Sequence, residues 1–148
     1  MDWGGCGALS HARGLYALVC VLPQAARIPV GRLGEAVFPA GWYVYVGSAK
    51  GPGGLAARVG RHLRRAKRAH WHVDRVLARA EVREVWGKVG DAPEECAWAA
   101  ALAQAPGARR WPPGFGSSDC RCPGHLLAFP EAPDASAFQA LGAERLWP

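Results

Sequence analysis

A chain of 148 residues, half of them hydrophobic and 20% charged, has the size and composition of one globular domain, which excludes a disordered chain. Its apolar stretches, such as Ala17 to Leu22, fall far short of the ~20 residues a bilayer-spanning helix needs, so no membrane span is expected. With 18 Lys and Arg against 12 Asp and Glu the net charge is +6, which favours a polyanionic partner. The segment from Met1 to Gly14 lacks the basic start and apolar stretch of a signal peptide, and a cytoplasmic location is expected. Five cysteines, an odd number at irregular spacing, favour reduced thiols over a disulfide framework.

Residues 1–13 are glycine-rich without periodicity and read as a flexible N-terminal arm, which leaves 14–148 as a single domain. Leu15 to Leu22 is a continuous apolar run stopped by Pro23, the pattern of a strand covered on both faces. Gln24 to Ala40 is broken by Pro29, Gly31, Gly34 and Pro39, so only short strands, Arg27–Val30 and Glu35–Phe38, are expected there. Gly41 to Gly47 is a second full strand, with Trp42, Val44 and Val46 on one face and Tyr43 and Tyr45 on the other. After a loop from Ser48 to Gly54, a helix is predicted from Leu55 to about Arg68. Leu55, Val59, Leu63 and Ala66 form its apolar stripe, and Arg58, Arg61, Arg65 and Arg68 a second face pointing outward. A helix over Trp71–Ala80, packing through Trp71, Val73 and Leu77, and an alternating strand over Glu81–Trp86 follow. The alanine-rich segment Glu94–Gln104 reads as a helix, with Asp91 as N-cap and Pro93 tolerated near its start. Pro112–Gly124 is loop, His125–Phe129 a short strand and Ala135–Leu141 a terminal helix. This order describes a small α/β domain with a mainly antiparallel central sheet flanked by helices.

The window 58–68 holds Arg58, Arg61, Arg64, Arg65, Lys67 and Arg68 and no acid. With Lys50 just upstream it is a candidate phosphate-contacting surface, although a solvated basic face has the same composition.

Two tripeptides stand on the two best strands, Gly14-Leu15-Tyr16 and Tyr45-Val46-Gly47, and the following helix carries Arg58 and His62. In this order the motifs resemble the GIY-YIG endonuclease family over roughly Gly14 to Gln104. The segments His70–Asp74 and Gly114–Leu126 resemble a subgroup of short stand-alone proteins that also occur fused to endonuclease III-type repair enzymes. The resemblance implies a nuclease-like α/β fold, catalytic roles for Tyr16, Tyr45, Arg58 and His62, and one divalent ion, Mg²⁺ or Mn²⁺, held by Glu95, with Glu94 as its adjacent competitor. It also implies a DNA substrate and a DNA-repair partner protein. The tripeptides are farther apart here than is usual in the family, with Ala17 to Val44 between them, which the subgroup resemblance accounts for as an inserted turn-rich segment.

The chemistry fits these residue types. Attack on a phosphodiester accumulates negative charge on its oxygens and needs fixed cations and a positioned water. Arg58 supplies a bidentate cation. Tyr16 and Tyr45 could orient the water, and a phenol of pKa ~10 needs a nearby cation or metal before it can act as a base. His62, at i+4 from Arg58, shares its face and could relay a proton or bond a tyrosine. Mg²⁺ suits a site with one carboxylate because it retains most of its waters. No separate DNA-reading domain is expected in this length, so binding should follow DNA shape, as in flaps, branches or damaged sites, more than long sequence.

Each residue also has a plain structural reading: strand tyrosines pack in cores, arginines are solvated, and a glutamate favours the start of a helix. The rival class is therefore a non-catalytic nucleic-acid-binding module that retains the nuclease fold. His70, His72 and Asp74 would form a metal triad on a strand, but on the predicted helix only His70 and Asp74 align, which favours structural or DNA-facing roles. Cys120, Cys122 and His125, with Cys96 as a fourth candidate, are spaced unlike ordinary zinc knuckles, so zinc is disfavoured and a loop anchored by Asp119 is expected. The seven tryptophans read mostly as core.

Overall fold

Nearly continuous burial along the first strand builds the centre of the fold in the computed structural model, which describes residues 10–31, 34–64, 72–90, 95–115 and 124–148. In chain order the first half contains β1 (Gly14–Leu22), β2 (Ala26–Pro29), β3 (Glu35–Phe38), β4 (Gly41–Ala49), α1 (Gly54–Leu63) and α2 (His72–Leu77). The second half contains β5 (Glu81–Val89), α3 (Glu95–Leu102), β6 (Arg109–Arg110), β7 (Leu126–Phe129), α4 (Ala135–Gln139) and β8 (Glu144–Trp147). Six strands form one sheet in the order β6-β7-β4-β1-β5-β8, antiparallel at every pairing, and β2 and β3 form a separate antiparallel pair. The domain is thus a mixed α/β fold with an antiparallel central sheet. Among the described residues no helix is long and apolar enough to cross a membrane.

β1 is central because both of its faces are covered. Tyr16, Leu18, Cys20 and Leu22 point to one side and meet Leu55, Val59 and Leu63 of α1 and Val73, Val76 and Leu77 of α2. Leu15, Ala17 and Val19 point to the other and meet Trp98, Ala99 and Leu102 of α3 and Phe138 of α4. Burial of each large aliphatic chain stabilises by about 1.5–3 kcal/mol, so this double cover makes β1 the least replaceable strand. Trp86 stacks on Phe138 at 5.1 Å and joins α4 to the sheet.

The segment between the two tripeptides is part of the core. Ile28, Val30 and Phe38 are buried in the same cluster as Tyr16, α2 packs against β2, and Phe38 lies 5.9 Å from the Tyr43 ring. The insertion therefore closes over the face that carries the tyrosines.

Several boundaries differ from the sequence reading. β5 continues past Trp86 to Val89, because Gly87 and Lys88 keep pairing with Tyr16 and Leu15. β6 and β8 were not expected. Each is a short edge strand defined by its partner, Arg109–Arg110 by β7 and Glu144–Trp147 by β5, and neither carries a local pattern of its own. α1 ends at Leu63, where Arg64 is already extended. The predicted continuation through Arg65, Ala66, Lys67 and Arg68 lies outside the described residues, as do Trp71, Asp91 and Pro93.

The last part of the N-terminal arm touches the domain. The backbone N–H of Leu55 donates to the Ala12 carbonyl at 3.0 Å and that of Ala56 to the Ser10 carbonyl at 2.7 Å. Two donors of the first turn of α1 are satisfied in this way by the chain itself.

Candidate active site

The site lies on the α1-covered face, at the end of the sheet where β1 begins and β4 ends. β1 and β4 pair so that Leu18 faces Tyr45 and Tyr16 faces Gly47. Tyr16 and Tyr45 are therefore diagonal neighbours on one face, with ring centroids 6.5 Å apart. The chain then turns through Gly53 and Gly54, at φ 83° and 57°. This left-handed pair suits glycine, and it folds α1 back over the tyrosines.

α1 delivers two side chains to them. The Tyr16 hydroxyl and Nε2 of His62 lie 2.8 Å apart in a buried hydrogen bond, and the His62 ring sits 5.4 Å from Tyr16 and 6.2 Å from Tyr45. One turn earlier, Arg58 donates from a terminal nitrogen to the Ser48 carbonyl at 3.1 Å, directly after the Tyr45-Val46-Gly47 run. Phe115 closes against Tyr45 edge-on at 6.4 Å. The sequence held no signal for that contact, because Phe115 comes from a distant loop.

The electrostatics tie these groups to Glu95 at the start of α3. Burial pushes the Tyr16 phenol up first, the neighbouring Tyr45 and then Glu95 add to it, and the charge and hydrogen bond of Arg58 oppose it. Tyr45 is pushed up to about 12, by burial first and then by Glu95 and Asp74, against the lowering influence of Arg58. Arg58 and Glu95 thus both act on Tyr16 and Tyr45, and His62 contacts both rings. A phenol is protonated at neutral pH in any case, and these surroundings extend that protonation to higher pH.

The outward arginine face fares differently. Arg58 is half-buried on Ser48, and Arg61 makes a bidentate pair with Asp74, both N–O distances 3.0 Å. Helix α1 is embedded on more than one side: Gly60 and His62 are buried along with the apolar stripe, which leaves its arginines little open solvent to face. Lys50 and Arg64 are exposed. Arg65, Lys67, Arg68, His70, Glu94, Asp119, Cys120 and Cys122 lie outside the described residues. His72 opens α2. Asp74, read from sequence as structural or DNA-facing, is buried with only 3% exposure.

Cys96 and His125 do meet, with Sγ 3.3 Å from Nε2, but among the described residues no group of three or more His, Cys, Asp or Glu could hold a metal. A separate cleft of about 620 Å³, lined by residues such as Gln104, Phe129 and Leu141, contains none of the site residues. Trp86 and Trp98 are core; Trp42, Trp111 and Trp147 are half-buried.

A pH prediction follows from burial. The chain has three tyrosines, and the third, Tyr43, is also pushed up to about 12, chiefly by burial. Groups whose folded pKa is raised stabilise the fold fully below their unfolded pKa, and that stability is lost as pH climbs through the folded value. Unfolded phenols titrate near 10. Stability should therefore fall from about pH 10 towards 12, and Cys20, likewise pushed up to about 12 by burial, should start the decline slightly earlier. Absorbance at 295 nm should show almost no phenolate in the native protein at pH 10.5, and about three-quarters titration in guanidinium, as a pKa of ~10 requires. Normal titration of one tyrosine in the native protein would remove it from the buried site.

A family model described as a domain of unknown function, DUF123, matches residues 15–146. No curated protein and no solved structure matches.

Proposed function

Since the chain belongs to the DUF123 family, a domain of unknown function, its activity must be read from its own site, and we propose that it is a metal-dependent endonuclease of the GIY-YIG type that hydrolyses DNA phosphodiester bonds. The observation that carries this reading is the Tyr16–His62 hydrogen bond with Tyr45, Arg58 and Glu95 gathered around it. Two core tyrosines would need no arginine and no acid beside them, and burial alone would keep such charges away.

In this reading the planar Arg58 guanidinium, anchored on the Ser48 carbonyl, binds phosphate oxygens. Tyr45 orients the attacking water. As the water oxygen bonds to phosphorus and the P–O bond to the leaving oxygen breaks, the water proton passes to the Tyr16 oxygen while the Tyr16 proton passes to Nε2 of His62. The leaving oxygen takes its proton from solvent. Glu95, half-exposed and acting electrostatically on both phenols, fits the single-carboxylate attachment of Mg²⁺ or Mn²⁺. Bound there, the ion would offset the acid that raises both phenols and would stabilise charge on the phosphate.

The substrate proposed is DNA recognised by shape, such as branched, flapped or damaged duplex, with a repair protein as targeting partner. Exposed Lys50 and Arg64 flank α1 and suit contact with the backbone. The test is cleavage of labelled duplex, single-stranded, flap and four-way-junction DNAs with Mg²⁺ or EDTA. Cutting should need Mg²⁺, favour at least one branched form, and disappear in a folded Glu95→Gln variant. Salt-sensitive binding with no cutting of any form would replace this reading by that of a nucleic-acid-binding module without turnover.

A further inference from the structure

Asp74 is buried on α2, held by Arg61 through two 3.0 Å hydrogen bonds, and its Oδ1 lies 4.0 Å from Nδ1 of His62. The opposite ring nitrogen of the same His62 meets the Tyr16 hydroxyl at 2.8 Å. Four side chains from α2, α1 and β1 thus form one line, Arg61–Asp74–His62–Tyr16, buried from Asp74 onward. A separation of 4.0 Å is too long for a hydrogen bond. It is nevertheless short enough for a carboxylate in a low-dielectric interior to decide on which ring nitrogen a neutral imidazole carries its proton.

We propose that Asp74 is a positioning residue for the candidate site: it holds the His62 proton on Nδ1, so that Nε2 is bare and accepts from the Tyr16 O–H. The functional part of this inference rests on the endonuclease reading. Only with that orientation can Tyr16 pass its proton to His62 while its oxygen takes one from water. With the other tautomer, Nε2 would donate to the Tyr16 oxygen and the relay would be blocked. The imidazolium formed after transfer would face the Asp74 carboxylate, which stabilises it as the acid of a catalytic triad stabilises its histidine. Arg61 has the complementary task. Its bidentate grip fixes the carboxylate plane and compensates the buried charge, and the side chain is only 19% exposed. The same Asp74 charge also acts on Tyr45, so its influence reaches both tyrosines of the site.

The tautomer can be read without any activity. Histidine-selective ¹⁵N labelling with long-range ¹H–¹⁵N correlation distinguishes protonated from bare ring nitrogens, and a His62→Gln variant assigns the His62 signals among the five histidines. The wild-type protein should show a bare Nε2 on His62. The double variant Arg61→Met with Asp74→Leu removes the carboxylate without leaving a charged partner behind, and should shift the proton towards Nε2. If that variant does not fold, Asp74→Asn, nearly identical in shape, takes its place and should give a mixture. A protonated Nε2 in the wild type, or an unchanged tautomer in a folded variant, overturns the proposal. In single-turnover cleavage at saturating protein the double variant should lose at least about 10- to 100-fold in rate, the range for removing an outer partner that orients a functional histidine. A wild-type rate in that variant also overturns it. Wild-type protein that cuts no DNA removes the endonuclease reading, while the tautomer result still decides whether Asp74 controls His62.

Discussion

Replacing Arg58 with alanine is expected to lower single-turnover DNA cleavage by about 100- to 1000-fold, the range found when one preorganised donor to developing negative charge is removed. The fold should survive. Arg58 is half-buried, its guanidinium donates to the Ser48 carbonyl at 3.1 Å and it also bonds the Tyr16 phenol, so truncation removes hydrogen bonds worth about 1 kcal/mol each from a position near solvent. Two effects combine in the rate. The substrate phosphate loses its cation, and Tyr16 and Tyr45 lose the positive charge that opposes the upward push on their phenols. Arg58→Lys separates them, because an ammonium restores the charge but cannot hold Ser48 and a phosphate at once with the geometry of a planar fork. Its rate should fall between wild type and alanine. Wild-type cleavage by folded Arg58→Ala would show that the phosphate is bound elsewhere.

The parts of this site that were legible in the sequence are those with short-range patterns. β-Branched and aromatic runs marked β1 and β4, strand alternation put Tyr43 and Tyr45 on one face, and helical spacing brought Arg58 and His62 to the same side. What stayed hidden depends on pairings between distant segments. No local rule could tell that Asp74 would take the Arg61 guanidinium, since a buried acid and a solvent-facing one have the same letter. Arg61 departs from the expected outward face for the same reason: α2 supplies it a partner, while Arg65 and Arg68 of that face lie outside the described residues. The strand order, with β1 between β4 and β5, and the edge strands β6 and β8 follow from which neighbour is available, and the arm carbonyls of Ser10 and Ala12 are in place for α1 only once the chain has folded.

Gly47 illustrates a constraint that the sequence displayed without its reason, and its replacement carries the other large effect. Gly47 faces Tyr16 across the β1–β4 pair, and a Cβ at this position would lie 2.5 Å from the Tyr16 hydroxyl oxygen and 2.6 Å from the ring carbon that bears it, where real contacts almost never fall below 3.0 Å. The tyrosine cannot step aside freely, because its hydroxyl is bonded to His62 at 2.8 Å and its ring is buried to 1% exposure. Gly47→Ala must therefore displace the hydroxyl by about the 0.5 Å that separates 2.5 from 3.0 Å, at a cost of about 1–3 kcal/mol for an overpacked core. A misplacement of 1 Å costs about 100-fold in rate, so a shift of about half that size should slow cleavage by the folded variant about 10-fold, with its affinity for DNA little changed. Tyr16→Phe should be at least as slow. Because both substitutions act through one hydroxyl, Gly47→Ala placed on top of Tyr16→Phe should cost almost no further activity. Losses that instead multiply in the double variant would mean that Gly47 serves cleavage by another route, and an undiminished rate in Gly47→Ala would remove the Tyr16 hydroxyl from the chemistry.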